Sequence, residues 1–90
     1  MKSKPLHDRS YRTIARLLRE IRSERGVTQA ELAERLDTDQ SLVSKVERLE
    51  RRVDLAELKR VCDVLGVSLQ EFVRRFEAEL AAGDEGGEAS

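Results

Sequence analysis

Several residue types are scarce in this 90-residue sequence, and each scarcity excludes something. It has no tryptophan, one cysteine, one proline and one histidine. Cys62 alone cannot form an internal disulfide, and no cysteines and histidines stand at the spacing of a metal site. No apolar run approaches the roughly 18–20 residues of a membrane span. Because Pro5 is the one proline, nothing later in the chain interrupts long helices. We therefore expect a cytoplasmic helical protein with no membrane segment, metal or other cofactor.

The charged residues are abundant but unevenly distributed. The net charge is -1, yet residues 1–25 contain eight basic and three acidic residues, a surplus of five positive charges. Residues 77–90 contain five acidic residues and no basic one. The whole chain has a net charge of -1 and residues 77–90 have -5, so residues 1–76 have a net charge of +4. The acidic average does not exclude a basic face that binds nucleic acid.

Three segments repeat one helix-start pattern, in which a hydrophobic residue precedes an N-cap candidate and a glutamate follows the cap three positions later. They are VTQAEL at 27–32, VDLAEL at 53–58 and VSLQEF at 67–72. Each matches a capping box with a hydrophobic staple. With apolar residues at helical spacing, they predict helices at about 10–24, 28–36 and 40–49, a fourth that ends before Gly66 and a fifth that reaches Leu80. Residues 1–9 are predicted to form a flexible arm, 10–80 the folded domain and 81–90 a disordered acidic tail.

The connection between the second and third predicted helices is very short. Such a linker forces the two helices to cross steeply, as in a helix-turn-helix. Asp37 lies where the chain turns sharply, and we expect it to have a positive φ, which aspartate tolerates better than most residues. Asp39 is then in position to cap the third helix, with Thr38 as the competing candidate. These features predict a helix-turn-helix at about 28–49.

The segment TQAELAERLDTDQSLVSKVERLERR, followed by LGVSLQEF, resembles the lambda-repressor-like DNA-binding domain of the Xre type. The resemblance covers about residues 11–76. It implies an all-α domain of five helices whose third helix enters the major groove of double-stranded DNA. It also implies that the protein binds a two-fold symmetric operator as a homodimer.

Two sets of DNA contacts follow from this resemblance. Bases would be read by residues that helical spacing places on one face, opposite Leu42, Val43 and Val46. These residues are Gln40, Ser41, Ser44 and Lys45. Phosphate contacts are assigned to residues near helix starts and after the third helix. These are Thr28, Gln29, Thr38, Arg48, Arg51 and Arg52. The resemblance also implies an ion pair between Arg22 and Glu47 that ties the first helix to the third.

Two positions depart from the family pattern, which commonly has glycine at both. One is Asp37, and the other is Leu49. Because leucine tolerates a left-handed helix end poorly, we expect the third helix to run longer and Leu49 to contact another subunit. Phe76 and Leu80 extend the apolar stripe of the fifth helix, and core packing and a dimer contact explain them equally well. Cys62 lies on the apolar stripe of the fourth helix and is interpreted as a core thiol.

These patterns predict a prokaryotic or phage regulator that represses transcription by occluding a promoter, with activation as an open alternative. Its partners would be double-stranded DNA and a second copy of the chain. No effector domain follows residue 80, so no small-molecule ligand is expected within this chain. The rival hypothesis is an antitoxin-like protein-interaction module, whose protein partner the sequence does not identify. No residue pattern supports an enzyme.

Overall fold

The structure is a computed structural model that describes residues 8–86, with side chains described through residue 82. Its helices are α1 (Arg9–Glu24), α2 (Gln29–Arg35), α3 (Gln40–Glu47), α4 (Leu55–Leu65) and α5 (Leu69–Gly86). No strand occurs between residues 8 and 86, and the predicted all-α fold of five helices is confirmed. Over the same range, no helix combines the length and the apolar content needed to cross a bilayer. α1 packs against α3 and α5, and α2 packs against α3 and α4.

Two of the three predicted capping boxes are complete. Thr28 Oγ1 accepts a hydrogen bond from Glu31 N at 3.0 Å, and the Glu31 carboxylate accepts one from Thr28 N at 2.8 Å. Asp54 and Glu57 form the same reciprocal pair at 2.7 and 3.0 Å. Each box satisfies two backbone N–H groups that a helix start would leave unpaired. The starts of α2 and α4 therefore depend on residues within four positions of one another.

The third capping box is only half formed. Ser68 Oγ accepts a hydrogen bond from Glu71 N at 3.0 Å, as predicted. The Glu71 carboxylate, however, accepts hydrogen bonds from Arg74 and Arg75, one turn further along α5. These hydrogen bonds, the one from Arg74 first, lower the pKa of Glu71 to about 2. Because Arg74 and Arg75 lie at helical spacing from Glu71, the Glu71 carboxylate bonds to these two cations and does not complete the capping box with Ser68.

Four helices end in the same way. One or two residues after the helix end the backbone is left-handed, with φ of 69° at Gly26, 58° at Asp37, 65° at Leu49 and 76° at Gly66. In each case the N–H of the next residue donates to the carbonyl five positions earlier, at 2.7–3.1 Å. This is the hydrogen bond of the Schellman motif, which satisfies carbonyls that a helix end leaves unpaired. The positive φ predicted for Asp37 is confirmed.

Leu49 does not extend α3 as expected. The helix ends at Glu47, and Leu49 adopts the left-handed conformation that the family pattern assigns to glycine. This conformation costs a side-chain-bearing residue about 1–2 kcal/mol. The half-buried Leu49 side chain lines a small crevice together with Tyr11 and Ile14 of α1. Packing against α1 offsets the strain and gives Leu49 a role within the chain.

The core lies between all five helices and is mainly aliphatic. Its buried residues are Leu17, Leu18, Ile21, Val27, Leu32, Ala33, Val43, Leu58, Cys62, Leu65, Val67 and Phe72. Cys62 is only 1% exposed, which confirms its interpretation as a core thiol, and burial raises its pKa. Phe76 is half-buried and packs against this core. Leu80 is half-buried, and its carbonyl accepts a hydrogen bond from Arg9 at the start of α1.

The folded segment differs from its predicted limits at both ends. Asp8 accepts a hydrogen bond from Ser10 N at 3.3 Å and caps α1, so the helix begins at Arg9 and not at residue 10. At the other end, α5 continues through Gly86, beyond the predicted limit at Leu80. Ala81 and Ala82 favour this continuation because alanine has the highest helix propensity. The predicted flexibility of residues 1–7 and 87–90 concerns parts of the chain outside the described residues.

Candidate nucleic-acid interface

α3 has one exposed polar face and one buried apolar face. Gln40, Ser41 and Lys45 are exposed, and Ser44 is half-buried. On the opposite side Val43 is 6% exposed and packs into the core. The structure therefore brings together all four predicted base-reading residues on the polar face of α3, opposite Val43.

The predicted ion pair between Arg22 and Glu47 is present. Arg22 Nε donates to Glu47 Oε2 at 2.7 Å, and Arg22 Nη2 donates to Glu47 Oε1 at 3.0 Å. Both side chains are largely buried, with 13% of Arg22 and 6% of Glu47 exposed. Arg22 Nη1 donates further to the carbonyl of Val27, so the guanidinium also holds the turn before α2. This bidentate pair fixes α1 relative to α3.

Gln29 connects this buried pair to the exposed face of α3. Its Nε2 donates to Glu47 Oε1 at 2.9 Å, and its Oε1 accepts a hydrogen bond from Gln40 Nε2 at 3.4 Å. Because a carboxylate only accepts, Glu47 requires Gln29 to present its NH₂ group inward and its oxygen to Gln40. The sequence prediction gave Gln29 a phosphate role and missed this function. The side-chain amide uses its oxygen and one N–H within the protein, so a phosphate contact by Gln29 would use its backbone N–H or the second amide hydrogen.

Asp39 occupies the N-cap position of α3 without forming the predicted cap. Its backbone is extended, with φ of -82° and ψ of 147°, but its side chain makes no capping hydrogen bond. The first N–H groups of α3 consequently lack the side-chain acceptor that Thr28 provides in α2. Thr38 is half-buried, and its side chain lines a cleft behind α3. Its backbone N–H is used in the turn, where it donates to Ala33 O at 2.9 Å.

The arginines after α3 have different environments. Arg51 forms a bidentate pair with Glu57, with Nη1–Oε1 and Nη2–Oε2 distances of 3.1 and 2.8 Å. Hydrogen bonding to Glu57 raises the pKa of Arg51, and the same hydrogen bonds lower the pKa of Glu57. Arg51 Nη1 also donates to the carbonyl of Arg52 at 2.8 Å. Arg51 thus fastens the loop after α3 to the start of α4, which weakens its predicted phosphate role.

Arg48 and Arg52 are more accessible than Arg51. Arg48 is exposed and pairs with Glu50 at 3.1 Å, a surface contact of low energetic value. Arg52 is exposed, and its guanidinium lies over the ring of Tyr11, 5.0 Å from the centroid. This cation–π contact joins the loop after α3 to α1 and orients the guanidinium. The sequence analysis did not predict it, because Tyr11 and Arg52 are far apart in the chain.

The exposed hydrophobic side chains differ from the predicted dimer contacts. Leu55 and Val73 lie at helical spacing from the buried apolar residues of α4 and α5, but they are 67% and 39% exposed. Of the three predicted contacts, Leu49 and Phe76 pack within the subunit and Leu80 is half-buried. Helical spacing alone does not show which apolar residues of a helix are covered by another helix.

Comparison with known proteins agrees with this architecture. A family profile described as helix-turn-helix matches residues 18–72, more than half of the chain, including α2, the turn and α3. An Xre-family-like protein from Pseudomonas syringae pv. tomato has the same fold, with a TM-score of 0.75 and 41% identity over 81% of this chain and 89% of that chain. The chain belongs to the Xre-type helix-turn-helix family.

Two further relatives connect this Xre-type domain to gene regulation. The HTH-type transcriptional regulator RamB of Mycobacterium tuberculosis is 34% identical over 65 residues, 72% of this chain and 14% of RamB. The chain therefore matches a small part of that relative's length. The restriction–modification controller protein C.Esp1396I, solved as a tetramer with its natural 35-base-pair operator, has a TM-score of 0.76 and 25% identity. That likeness covers 83% of this chain and 99% of the controller chain. The family is one of DNA-binding transcription regulators.

Proposed function

We propose that this Xre-type protein is a prokaryotic, cytoplasmic repressor of transcription. It would bind a two-fold symmetric operator as a homodimer. The observation that carries the proposal is the uncovered face of α3, where Gln40, Ser41, Ser44 and Lys45 stand together. These side chains have the donors and acceptors that read base edges in the major groove. The buried pair of Arg22 and Glu47 keeps this helix in a fixed orientation.

Gln40 would read adenine. Gln29 Oε1 accepts one hydrogen of the Gln40 amide, which leaves one N–H and the carbonyl oxygen of Gln40 free for DNA. Adenine offers a complementary pair in the major groove, since its N6 donates and its N7 accepts. Lys45 is suited to guanine O6 or N7, and the two serines accept several bases.

Phosphate contacts would supply much of the affinity without choosing a sequence. Arg48 and Arg52 are exposed at the exit of α3 and can reach the backbone on that side. Thr28 and Gln29 begin α2, where backbone N–H groups and the helix dipole favour an anion. Thr38 remains a candidate through its hydroxyl. Arg51 would act indirectly, because its pair with Glu57 holds the loop that carries Arg52.

A homodimer would place two copies of α3 about 34 Å apart, one turn of B-DNA. The operator-bound tetramer of the controller protein C.Esp1396I supports an assembly of several copies on one operator. Within the residues whose side chains are described, Leu55 and Val73 are the exposed large hydrophobic side chains and so are the first candidates for a subunit contact. Occupation of a promoter by such a dimer would exclude polymerase and repress the gene.

Selection of bound duplexes from a random pool tests the proposal, and we expect an inverted repeat with adenine in each half-site. On that operator, Lys45→Ala should reduce the preference over random DNA by about tenfold. Arg52→Ala should weaken binding to both by a similar factor. Lys59→Ala is the matched control, because Lys59 is an exposed cation that pairs with Asp63 on α4 and belongs to neither set of proposed DNA contacts. No enrichment and no retention of duplex at low salt would reject DNA binding and favour the protein-interaction alternative.

A further inference from the structure

A cleft of about 260 Å³ lies behind the recognition helix, between α2, α3 and α4. Its walls are mostly leucine and valine side chains. Five of these are half-buried: Leu36, Leu42, Val46, Val53 and Val61. The aromatic residues that could fill such a space lie on α1 and α5, as Tyr11, Phe72 and Phe76. The cleft therefore stays open because α2, α3 and α4 contribute aliphatic side chains, and no aromatic one, to its walls.

The size of the cleft exceeds that of an ordinary packing defect. Protein interiors are close-packed, and their voids are seldom larger than a water molecule. An apolar cavity of about 150 Å³ is known to hold benzene, which has six non-hydrogen atoms. In proportion, 260 Å³ suits a ligand of about ten non-hydrogen atoms. This volume lies just below the usual range of small-molecule sites, which begins at about 300 Å³.

The charged groups lining the cleft are two carboxylates, Glu47 and Glu57, and two guanidiniums, Arg51 and Arg60. Glu47 is paired with Arg22, and Glu57 is paired with Arg51. The remaining charged side chain of the lining is Arg60, which is exposed on α4. No hydrogen bond or ion pair joins Arg60 to another residue in the part of the chain that the structure describes. The charge of Arg60 contributes to the lowered pKa of Glu57, but its guanidinium N–H groups donate to no residue in the described range. An apolar cleft with such free donors in its lining is complementary to a small molecule with an apolar body and an anionic end.

We propose that this cleft binds a short aliphatic carboxylate, with its hydrocarbon chain among the leucines and valines and its carboxylate on Arg60. Octanoate, with ten non-hydrogen atoms, has the appropriate size. The proposal does not depend on the DNA-binding function and departs from the expectation that this chain takes no small-molecule ligand. Because Leu42, Val43 and Val46 belong to α3, the bound ligand would contact the inner face of the recognition helix.

Calorimetric titration of the full chain with octanoate and with 1-octanol tests the two parts of the site separately. We expect saturable binding of octanoate, about tenfold tighter than 1-octanol because only the carboxylate pairs with Arg60. Arg60→Gln should reduce octanoate affinity to that of the alcohol. Lys59→Gln, which removes the neighbouring cation on α4, should leave both affinities unchanged. Two results would overturn the pairing of the carboxylate with Arg60. One is equal affinity of the unmodified protein for octanoate and 1-octanol, and the other is an equal loss of octanoate affinity in Arg60→Gln and Lys59→Gln.

The apolar part of the cleft is tested by filling it. Val61→Phe should lower the affinity for octanoate and 1-octanol about equally, by tenfold or more, without lowering the melting temperature. If that variant does not fold, nuclear Overhauser contacts on the unmodified protein replace it. Contacts from the ligand chain to the methyl groups of Val46 and Val61 would support the site. Contacts confined to other methyl groups, or undiminished binding in a folded Val61→Phe protein, would show that the ligand binds elsewhere.

Discussion

Gln29 and Arg22 donate to the same oxygen of Glu47, at 2.9 and 3.0 Å, so a residue at the start of α2 shares the buried ion pair. This arrangement predicts that Gln29 controls which groups Gln40 presents to DNA. Gln29→Ala should lower the preference for adenine at the Gln40 position about fivefold, while affinity for random DNA stays within twofold. Competition binding with operators changed at that base pair measures the effect.

The control for Gln29 is Gln70→Ala, which removes an exposed glutamine near the start of α5. It should change neither preference nor affinity. An equal loss on specific and random DNA in Gln29→Ala would show that Gln29 contacts phosphate and does not orient Gln40.

The Arg22–Glu47 pair predicts strong coupling between two single substitutions. Arg22→Met leaves the Glu47 carboxylate, which is 6% exposed, without its cation, and Glu47→Leu leaves Arg22 with Val27 O as a partner. Each change should lower the free energy of unfolding by about 3–5 kcal/mol. The double variant should lose less than the sum of the two, because no uncompensated charge remains buried. Urea unfolding of all four proteins gives the coupling, and strictly additive losses would contradict it.

Helix starts could be predicted from the sequence because they depend on neighbouring residues. Thr28 with Glu31 and Asp54 with Glu57 cap α2 and α4 through contacts three positions apart. The positive φ of Asp37 follows equally from the short turn around it. The half-formed box at Ser68 shows the limit of such patterns, since nearby arginines change the outcome.

Features that join distant segments could not be predicted in this way. Leu49 adopts a left-handed backbone because α1 supplies Tyr11 and Ile14 beside it, and those residues lie more than thirty positions earlier. The hydrogen bonds of Gln29 and the cleft behind α3 depend on how three helices are placed in space. The pairing of Arg22 with Glu47 was accessible only through the family resemblance.

The left-handed backbone at Leu49 predicts that glycine is more stable than alanine at this position, the reverse of their usual order of stability. In an exposed helix interior glycine is less stable than alanine by about 1 kcal/mol. At Leu49, with φ of 65°, glycine relieves strain that alanine retains. Both variants lose the packing of the leucine side chain, so Leu49→Gly should be more stable than Leu49→Ala by about 1 kcal/mol. Denaturant unfolding measures the difference, and Arg19, exposed in the middle of α1, provides the control pair with the ordinary order.

The contact between Tyr11 and Arg52 predicts that Tyr11 affects DNA binding indirectly, by holding the guanidinium of Arg52 in place. Arg52→Ala should reduce the slope of log affinity against log salt concentration by about one, as expected for the loss of one phosphate contact. Tyr11→Leu should weaken binding by about two- to fivefold, because the guanidinium loses a cation–π contact of about 0.5–1 kcal/mol. Tyr11→Phe retains the aromatic face and should bind as the unmodified protein does. In a protein that already carries Arg52→Ala, Tyr11→Leu should have no further effect on affinity. If it weakens binding equally in both backgrounds, Tyr11 acts on the fold and not through Arg52.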